Sequence, residues 1–223
     1  MKTLLCLSSI CVVMAQPLTA SVISGTVATA GRADEGAVTV VYAERLDEIA
    51  PVPSQTYSIS QRNKVFSPRV LAVPVGSTVD FPNDDRIFHN VFSLSRPAPF
   101  DFGLYRVGES KSRTFDTPAI HRVFCNIHPQ MSAIVLTLPT PYFTQADASG
   151  AYQLDVPAGR YRITAWSERS APVTTEVTVA DTALTVSALR LDESQFVQVQ
   201  HLNKFGRQYV SMVYEPLRDA HVQ

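Results

Sequence analysis

The sequence Phe124-Cys125-Asn126-Ile127-His128-Pro129-Gln130-Met131 places a thiol, an imidazole and a thioether at intervals of three residues. Pro129 keeps the segment from being helical, because proline lacks an amide hydrogen and restricts the residue before it. Soft sulfur donors beside an imidazole suit copper, above all a copper ion held in both of its oxidation states. A site of two histidines and one cysteine with a distant axial methionine needs a second imidazole, and His89 can supply it. The pattern therefore predicts a type 1 copper site.

The N-terminus has the order of a secretory signal peptide, which we assign to residues 1–20. A basic residue precedes an apolar run from Leu4 to Met14, and small residues follow, with Ala15 and Ala20 as candidate cleavage points. The run is well short of the ~20 residues that span a bilayer. No later segment is long and apolar enough to cross a membrane. We therefore predict an exported, periplasmic protein without a membrane span.

Removal of the signal peptide changes the cysteine count. Cys6 and Cys11 leave with it, so that Cys125 is the only thiol of the mature chain. A lone cysteine in an oxidising compartment is a buried small apolar residue, an intermolecular link or a ligand. An unpaired surface thiol is a liability there, which favours the ligand.

The composition favours an all-β chain, and the absence of known catalytic motifs from the sequence favours a protein that is not an enzyme. Of the 223 residues, 45% are hydrophobic and 17% charged, and 15 prolines accompany many valines and threonines without a long helical period. A net charge of −1 gives no indication of nucleic-acid binding. No nucleophile motif, phosphate-binding glycine loop or dinucleotide fingerprint is present.

Turn residues and strand patterns divide the mature chain into four parts. Residues 22–50 contain two β-rich runs that predict a hairpin, Val22–Val27 and Ala37–Tyr42. Residues 55–139 and 140–192 hold further strands, with an excursion through Pro97 to Tyr105 that carries no clear period. In residues 55–139, His89 and Cys125 are expected at the same end of adjacent strands. Residues 193–223 are expected to be extended or weakly ordered.

The middle part resembles the cupredoxins, particularly the plastocyanin and amicyanin group. Four segments carry the resemblance: Phe66-Ser67-Pro68, Val75-Gly76-Ser77-Thr78-Val79-Asp80-Phe81, His89-Asn90-Val91 and Cys125 to Met131. The resemblance implies a Greek-key β-sandwich that holds one type 1 copper ion. It implies His89, Cys125 and His128 as equatorial ligands and Met131 as the weak axial ligand. Asn90 would brace the loop that bears Cys125, and Ile127 departs from the proline that the family often has.

The flanking parts resemble a second family, the transthyretin-like or carboxypeptidase-regulatory-like β-sandwich. The resemblance is carried by the segments 147–152, 156–161 and 24–38. It implies that the cupredoxin is inserted between the first hairpin and the rest of a smaller sandwich. The whole layout resembles the exported cupredoxins labelled as methylamine utilisation proteins.

Several other residues have simpler interpretations. His121 is expected at the surface, and Asp84-Asp85 is expected to be a turn or a solvated loop, because neighbours on an extended chain face opposite ways. Trp166 is expected to fill the core of the second sandwich. His201 and His221 are candidates for a loose metal site in the tail.

Three functions are compatible with these features. The first is a periplasmic carrier of single electrons, in which a redox partner docks transiently near His128. The second is a protein that binds or hands on copper without carrying electrons. The third is an envelope binding module, in which the second sandwich recognises a partner protein or a glycan.

Overall fold

The computed structural model describes residues 20–31, 37–49, 51–197 and 201–209. Regular structure in these residues consists of strands alone, as the composition predicts. None of them belongs to a helix long and apolar enough to cross a membrane. The predicted signal peptide lies outside the described residues, apart from Ala20.

The strands are, in chain order, β1 (Ser21–Ala30), β2 (Thr39–Arg45), β3 (Thr56–Ser58), β4 (Ser60–Arg62), β5 (Val65–Ser67), β6 (Val70–Pro74), β7 (Ser77–Pro82), β8 (His89–Ser93), β9 (Phe100–Tyr105), β10 (Ser110–Phe115), β11 (Ala119–Phe124), β12 (Ser132–Leu138), β13 (Phe143–Gln145), β14 (Ala151–Val156), β15 (Gly159–Ser167), β16 (Val173–Val179), β17 (Leu184–Thr185) and β18 (Leu189–Asp192).

Strands β3 to β12 form a sandwich that we call the central sandwich. One sheet has the order β6-β12-β11-β8-β9, the other has the order β10-β7-β3, and β4 and β5 form a small hairpin beside them. Alternate residues of β7 point inward, so that Val79 and Phe81 are buried against Val91 and Val123 of the facing sheet. This shared apolar interior holds the two sheets together.

The strands on either side form a second sandwich, which we call the flanking sandwich. Its sheets are β14-β1-β17, with β18 also paired to β1, and β13-β2-β15-β16. Ile23 of β1 and Ile163 of β15 are fully buried in the core between them. The segments before and after the central sandwich therefore build one core together.

The hairpin predicted from Val22–Val27 and Ala37–Tyr42 is wrong. These runs are strands β1 and β2, but β1 pairs with β14, β17 and β18, whereas β2 pairs with β13 and β15. Each sheet of the flanking sandwich receives one of the two runs. Two strands that each have an apolar face bury more of that apolar surface when they face each other across a core than when they lie side by side in one sheet.

The excursion through Pro97 to Tyr105 contains strand β9, which its sequence did not reveal. Asn90 pairs with Leu104 and Phe92 with Asp101, so β9 has one more residue than β8 between these two pairs and forms a β-bulge. Gly103 in this bulge has φ +68°, a left-handed conformation that favours glycine. The bulge breaks the alternation of apolar residues that would otherwise have indicated a strand.

The prediction that Trp166 fills the core of the flanking sandwich is wrong, because this side chain packs between the two sandwiches. It forms a buried cluster with Val40 of β2 and with Ile134, Leu136 and Leu138 of β12. Successive residues of β15 point to opposite faces, and Ile163 and Ala165 already fill the interior core. An ion pair between Arg69 and Glu168 also joins the two sandwiches.

Strands β8 and β11 lie side by side and run antiparallel, with Phe92 opposite Phe124. His89 begins β8 and Cys125 follows the last residue of β11, so both residues reach the same end of the sheet. This arrangement confirms the predicted placement of the two strands and brings the histidine to the loop that carries the other donors.

Candidate metal centre

Three of the four predicted ligands converge at this end of the central sandwich. The Sγ atom of Cys125 lies 3.9 Å from Nδ1 of His89 and 3.6 Å from Nδ1 of His128, and the two nitrogens are 3.1 Å apart. His89 and Cys125 are fully buried, and His128 is half-buried. The three atoms form a compact triangle of two nitrogens and one sulfur.

The triangle fits a single transition-metal ion. Metal–nitrogen and metal–sulfur bonds are about 2.0 to 2.3 Å long, so one ion among these atoms reaches all three. A thiolate with two imidazoles is the equatorial donor set of a type 1 copper site. Within the described residues, these three side chains are the one such group of potential metal ligands.

The ligand loop, residues 125–131, is closed by its own backbone. The amide of Cys125 donates to the carbonyl of Met131 at 3.2 Å, and the amide of Met131 donates to the carbonyl of His128 at 2.9 Å. The Met131 side chain is buried in the same core cluster as Cys125. The fourth predicted ligand therefore belongs to the same buried core as the cysteine and is hydrogen-bonded to it through the backbone.

Asn90 connects the ligand loop to β9. Its Oδ1 accepts a hydrogen bond from the Asn126 amide at 3.2 Å, and its Nδ2 donates to Oδ1 of Asp101 at 2.7 Å. It also donates to the carbonyl of Gly103 at 3.0 Å, a contact that uses the bulge in β9. Both ends of the buried amide are satisfied, so the residue ties two segments of the site together.

Asp85 contacts a predicted ligand, although the sequence assigned Asp84-Asp85 to a turn or a solvated loop. Its Oδ2 lies 3.0 Å from Nε2 of His89. The amides of Lys64 and Arg86 donate to the same carboxylate, and the Lys64 bond is the main cause that lowers the pKa of Asp85 to about 2. A carboxylate that accepts the Nε2 proton leaves the Nδ1 lone pair of His89 free to face the metal.

Replacing Asp85 by asparagine is expected to weaken copper binding by about 10- to 100-fold, the range for partners of metal-bound histidines. The loss follows because an uncharged amide orients the imidazole less firmly and makes it a poorer donor. Competition against a chelator of known affinity measures the change. Asp84→Asn is the matched control, since Asp84 is exposed, and equal affinities of the two variants would contradict the assigned contact.

Of the four predicted ligands, His128 is the most exposed to solvent. Burial lowers its pKa below the usual value, and the neighbouring His89 lowers it further. The adjacent Ile127 is 43% exposed, and Phe88, next to His89 in sequence, is 56% exposed. The candidate site is therefore buried at Cys125 and more open at His128, and an exposed apolar side chain stands next to each histidine in sequence.

His121 is buried, with 2% of its surface exposed, so the predicted surface position is wrong. It shares the inward face of β11 with Val123, and its ring lies 4.7 Å from that of Phe115. The alternation that carries Cys125 into the interior carries His121 there as well. Burial lowers its pKa, and the charge of Arg113 lowers it further.

His121 gives the apo protein a specific dependence on pH. The unfolded chain binds a proton at His121 near pH 6.5, whereas the folded chain binds it only at lower pH. The contribution of neutral His121 to stability is therefore complete above about pH 6.5 and is lost as the pH falls toward the folded pKa. Denaturant unfolding between about pH 7 and pH 5 is expected to show a smaller loss of stability in His121→Gln than in the native protein. An identical loss would show that burial does not affect the protonation of His121.

The loose metal site predicted for the tail consists of His201, which the structure describes, and His221, which it does not. Nε2 of His201 donates to the carbonyl of Pro129 at 2.7 Å, and His221 lies outside the described residues. Residues 201–209 lie against the ligand loop in a hydrogen-bonded turn. The expectation of an extended or weakly ordered tail is wrong for this segment.

No protein-family model matches the sequence, and no curated protein matches it. Solved structures of copper proteins are similar to part of the chain. A purple cupredoxin from Nitrosopumilus maritimus is 23% identical over 37% of this chain and 99% of its own length, with a TM-score of 0.35. The reduced state of an amicyanin variant is 21% identical over 44% of this chain and 99% of its own, with a TM-score of 0.36. A copper-containing nitrite reductase from Thermus scotoductus is 26% identical over 43% of this chain and 25% of its own, with a TM-score of 0.37.

Proposed function

We propose that this protein is an exported type 1 copper protein that carries single electrons and has no catalytic activity of its own. The observation that carries the proposal is the triangle of His89, Cys125 and His128, in which two donors are buried and the third is half-exposed. When bound, copper supplies the exchange of one electron between its Cu(I) and Cu(II) forms.

In this proposal each ligand has a distinct part. Cys125 would bind copper as a thiolate, and His89 and His128 would supply two imidazole nitrogens. Met131 would supply a weakly bound thioether, which would tune the reduction potential. The contacts of Asn90 with Asn126 and of Asp85 with His89 hold the donors in place. Donors fixed in this way move little when the charge of the site changes.

The surface around His128 is the proposed point of electron exchange. Its imidazole is half-buried, and the exposed side chains of Ile127 and Phe88 lie beside the two histidine ligands in sequence. When a redox partner covers this apolar surface, only the His128 imidazole would separate it from the metal. Complexes of this kind are small and short-lived.

The proposal also includes a domain organisation. Residues 55–139 form a cupredoxin domain, inserted into a transthyretin-like sandwich made from residues 22–50 and 140–192. The pairing of β1 with β14 and of β2 with β15 supports the insertion, because each pair joins a strand that precedes the central sandwich in sequence to one that follows it. Residues 1–20 are the proposed signal for export to the periplasm.

Voltammetry of the copper-loaded protein tests the proposed function. We expect one reversible one-electron wave, retained through repeated cycles of reduction and oxidation in the presence of a competing chelator. Met131→Leu is expected to keep the wave at a shifted potential, because the axial ligand tunes the potential. Rapid loss of copper to the chelator during the cycles would contradict an electron carrier and favour a protein that hands on copper.

A further inference from the structure

Residues 201–209, which we call the tail segment, form a compact turn. Oδ1 of Asn203 accepts hydrogen bonds from the amides of Phe205 at 3.0 Å and Arg207 at 3.1 Å. The amide of Asn203 donates to the carbonyl of Arg207 at 2.8 Å. Gly206 has φ +72°, the left-handed conformation that such a turn needs. The segment therefore has a defined shape of its own.

The tail segment bonds to the ligand loop at three places. The Tyr209 hydroxyl donates to the carbonyl of Cys125 at 2.9 Å. The amide of Lys204 donates to Oδ1 of Asn126 at 3.0 Å. Together with the bond from His201 to Pro129, these contacts hold residues 125, 126 and 129 of the loop.

Aromatic rings reinforce the contact beside Cys125. The His201 ring stacks on Phe124, with 4.0 Å between ring centroids and 19° between planes. The Tyr209 ring meets His201 edge-on at 5.2 Å. Phe124, the residue that precedes the cysteine, is thereby covered by the His201 ring, and Tyr209 packs against that ring.

Lys204 extends the contact to the second segment of the site. Its Nζ lies 2.7 Å from Oδ2 of Asp101, whose other oxygen accepts the bond from Asn90. Asn90 in turn binds the amide of Asn126. A continuous set of hydrogen bonds thus runs from the tail segment through β9 and β8 to the ligand loop.

From these contacts we propose that the tail segment is a positioning element of the metal centre. Tyr209, His201 and Lys204 hold the ligand loop in the shape that binds copper, and they slow the release of the ion. This role rests on the copper function proposed above. Release requires Cys125 and His128 to move apart, and the loop that carries both is fixed at residues 125, 126 and 129 by the tail segment.

Hydrogen exchange of the apo protein tests whether the tail segment holds the loop. The amides of Cys125, Asn126 and Met131 are hydrogen-bonded within the site. Tyr209→Phe keeps the ring and removes the hydroxyl, and with it the bond to the Cys125 carbonyl and a longer contact of 3.5 Å with Nδ1 of His201. The loop amides are therefore expected to exchange about fivefold faster, the equivalent of about 1 kcal/mol. Arg207→Ala, in an exposed position of the same turn, is the matched control, and the melting temperature monitors global stability.

The rate of copper release tests whether holding the loop matters to the metal. Transfer of Cu(I) from the loaded protein to bathocuproine disulfonate is expected to be about fivefold faster in Tyr209→Phe. It is expected to be faster still in the double variant Tyr209→Phe/Lys204→Met, and unchanged in Arg207→Ala.

The two measurements separate failure of this proposal from failure of the copper function. Unchanged exchange of the loop amides in the double variant overturns the positioning role, whether or not the protein binds copper. Faster exchange with unchanged copper transfer also overturns it, since the tail segment would then be only a structural brace. A native protein that binds no copper overturns the proposed function, and with it the role of the tail segment at a metal.

Discussion

Replacing Cys125 by alanine is expected to abolish tight copper binding, with a loss of affinity greater than about 100-fold. Removing a partner of a metal-bound histidine costs about 10- to 100-fold, and Cys125 is itself a proposed donor, with two imidazole nitrogens 3.6 and 3.9 Å from its sulfur. The two histidines that remain lack the thiolate that makes the site selective for copper.

Thermal unfolding with and without copper measures this loss. A ligand present at about 1,000 times its dissociation constant stabilises the folded state by about 4 kcal/mol. The native protein is therefore expected to melt at a higher temperature with copper, and Cys125→Ala is expected to show little shift. Ile127→Ala is the control, because its side chain belongs to the same loop and is 43% exposed. An equal shift in Cys125→Ala and the native protein would place the copper elsewhere.

Replacing Trp166 by alanine is expected to lower the free energy of unfolding by about 3 to 5 kcal/mol, the usual cost of removing a large buried aromatic side chain. Trp166 is 5% exposed and packs against Ile134, Leu136 and Leu138 of the central sandwich. The cavity would open between the two sandwiches, so the loss measures how strongly they hold each other.

Denaturant unfolding is the measurement, with Ile49→Ala as the control because Ile49 is 96% exposed. That variant is expected to stay within about 0.5 kcal/mol of the native protein, as surface substitutions usually do. A loss below about 1 kcal/mol for Trp166→Ala would show that the contact between the sandwiches contributes little to stability.

The sequence was informative where chemistry is local. Cys125 and His128 are three residues apart, and a loop that carries both brings them together with little help from the rest of the fold. His89 could be added because it begins a strand that was expected beside β11. The all-β class followed from valine, threonine and proline content, which reflects side-chain and backbone preferences of single residues.

The parts that sequence reasoning missed depend on contacts between distant segments. Asp85 stands four residues before His89, a spacing that offered a signal, but its role depends on the amide of Lys64, which fixes the carboxylate. Trp166 lies on a strand with both faces covered, and the pattern of one strand does not show which core receives a side chain. The tail segment carries no periodic pattern, because its order comes from single hydrogen bonds to the ligand loop.

The central claim is that one copper ion binds to the thiolate of Cys125 and to the imidazoles of His89 and His128. The visible absorption spectrum of the purified protein loaded with Cu(II) tests this claim most directly. The account predicts an intense thiolate-to-copper band that is absent from Cys125→Ala. A pale or colourless protein that still binds copper would contradict the type 1 site, and copper handling would then become the leading function.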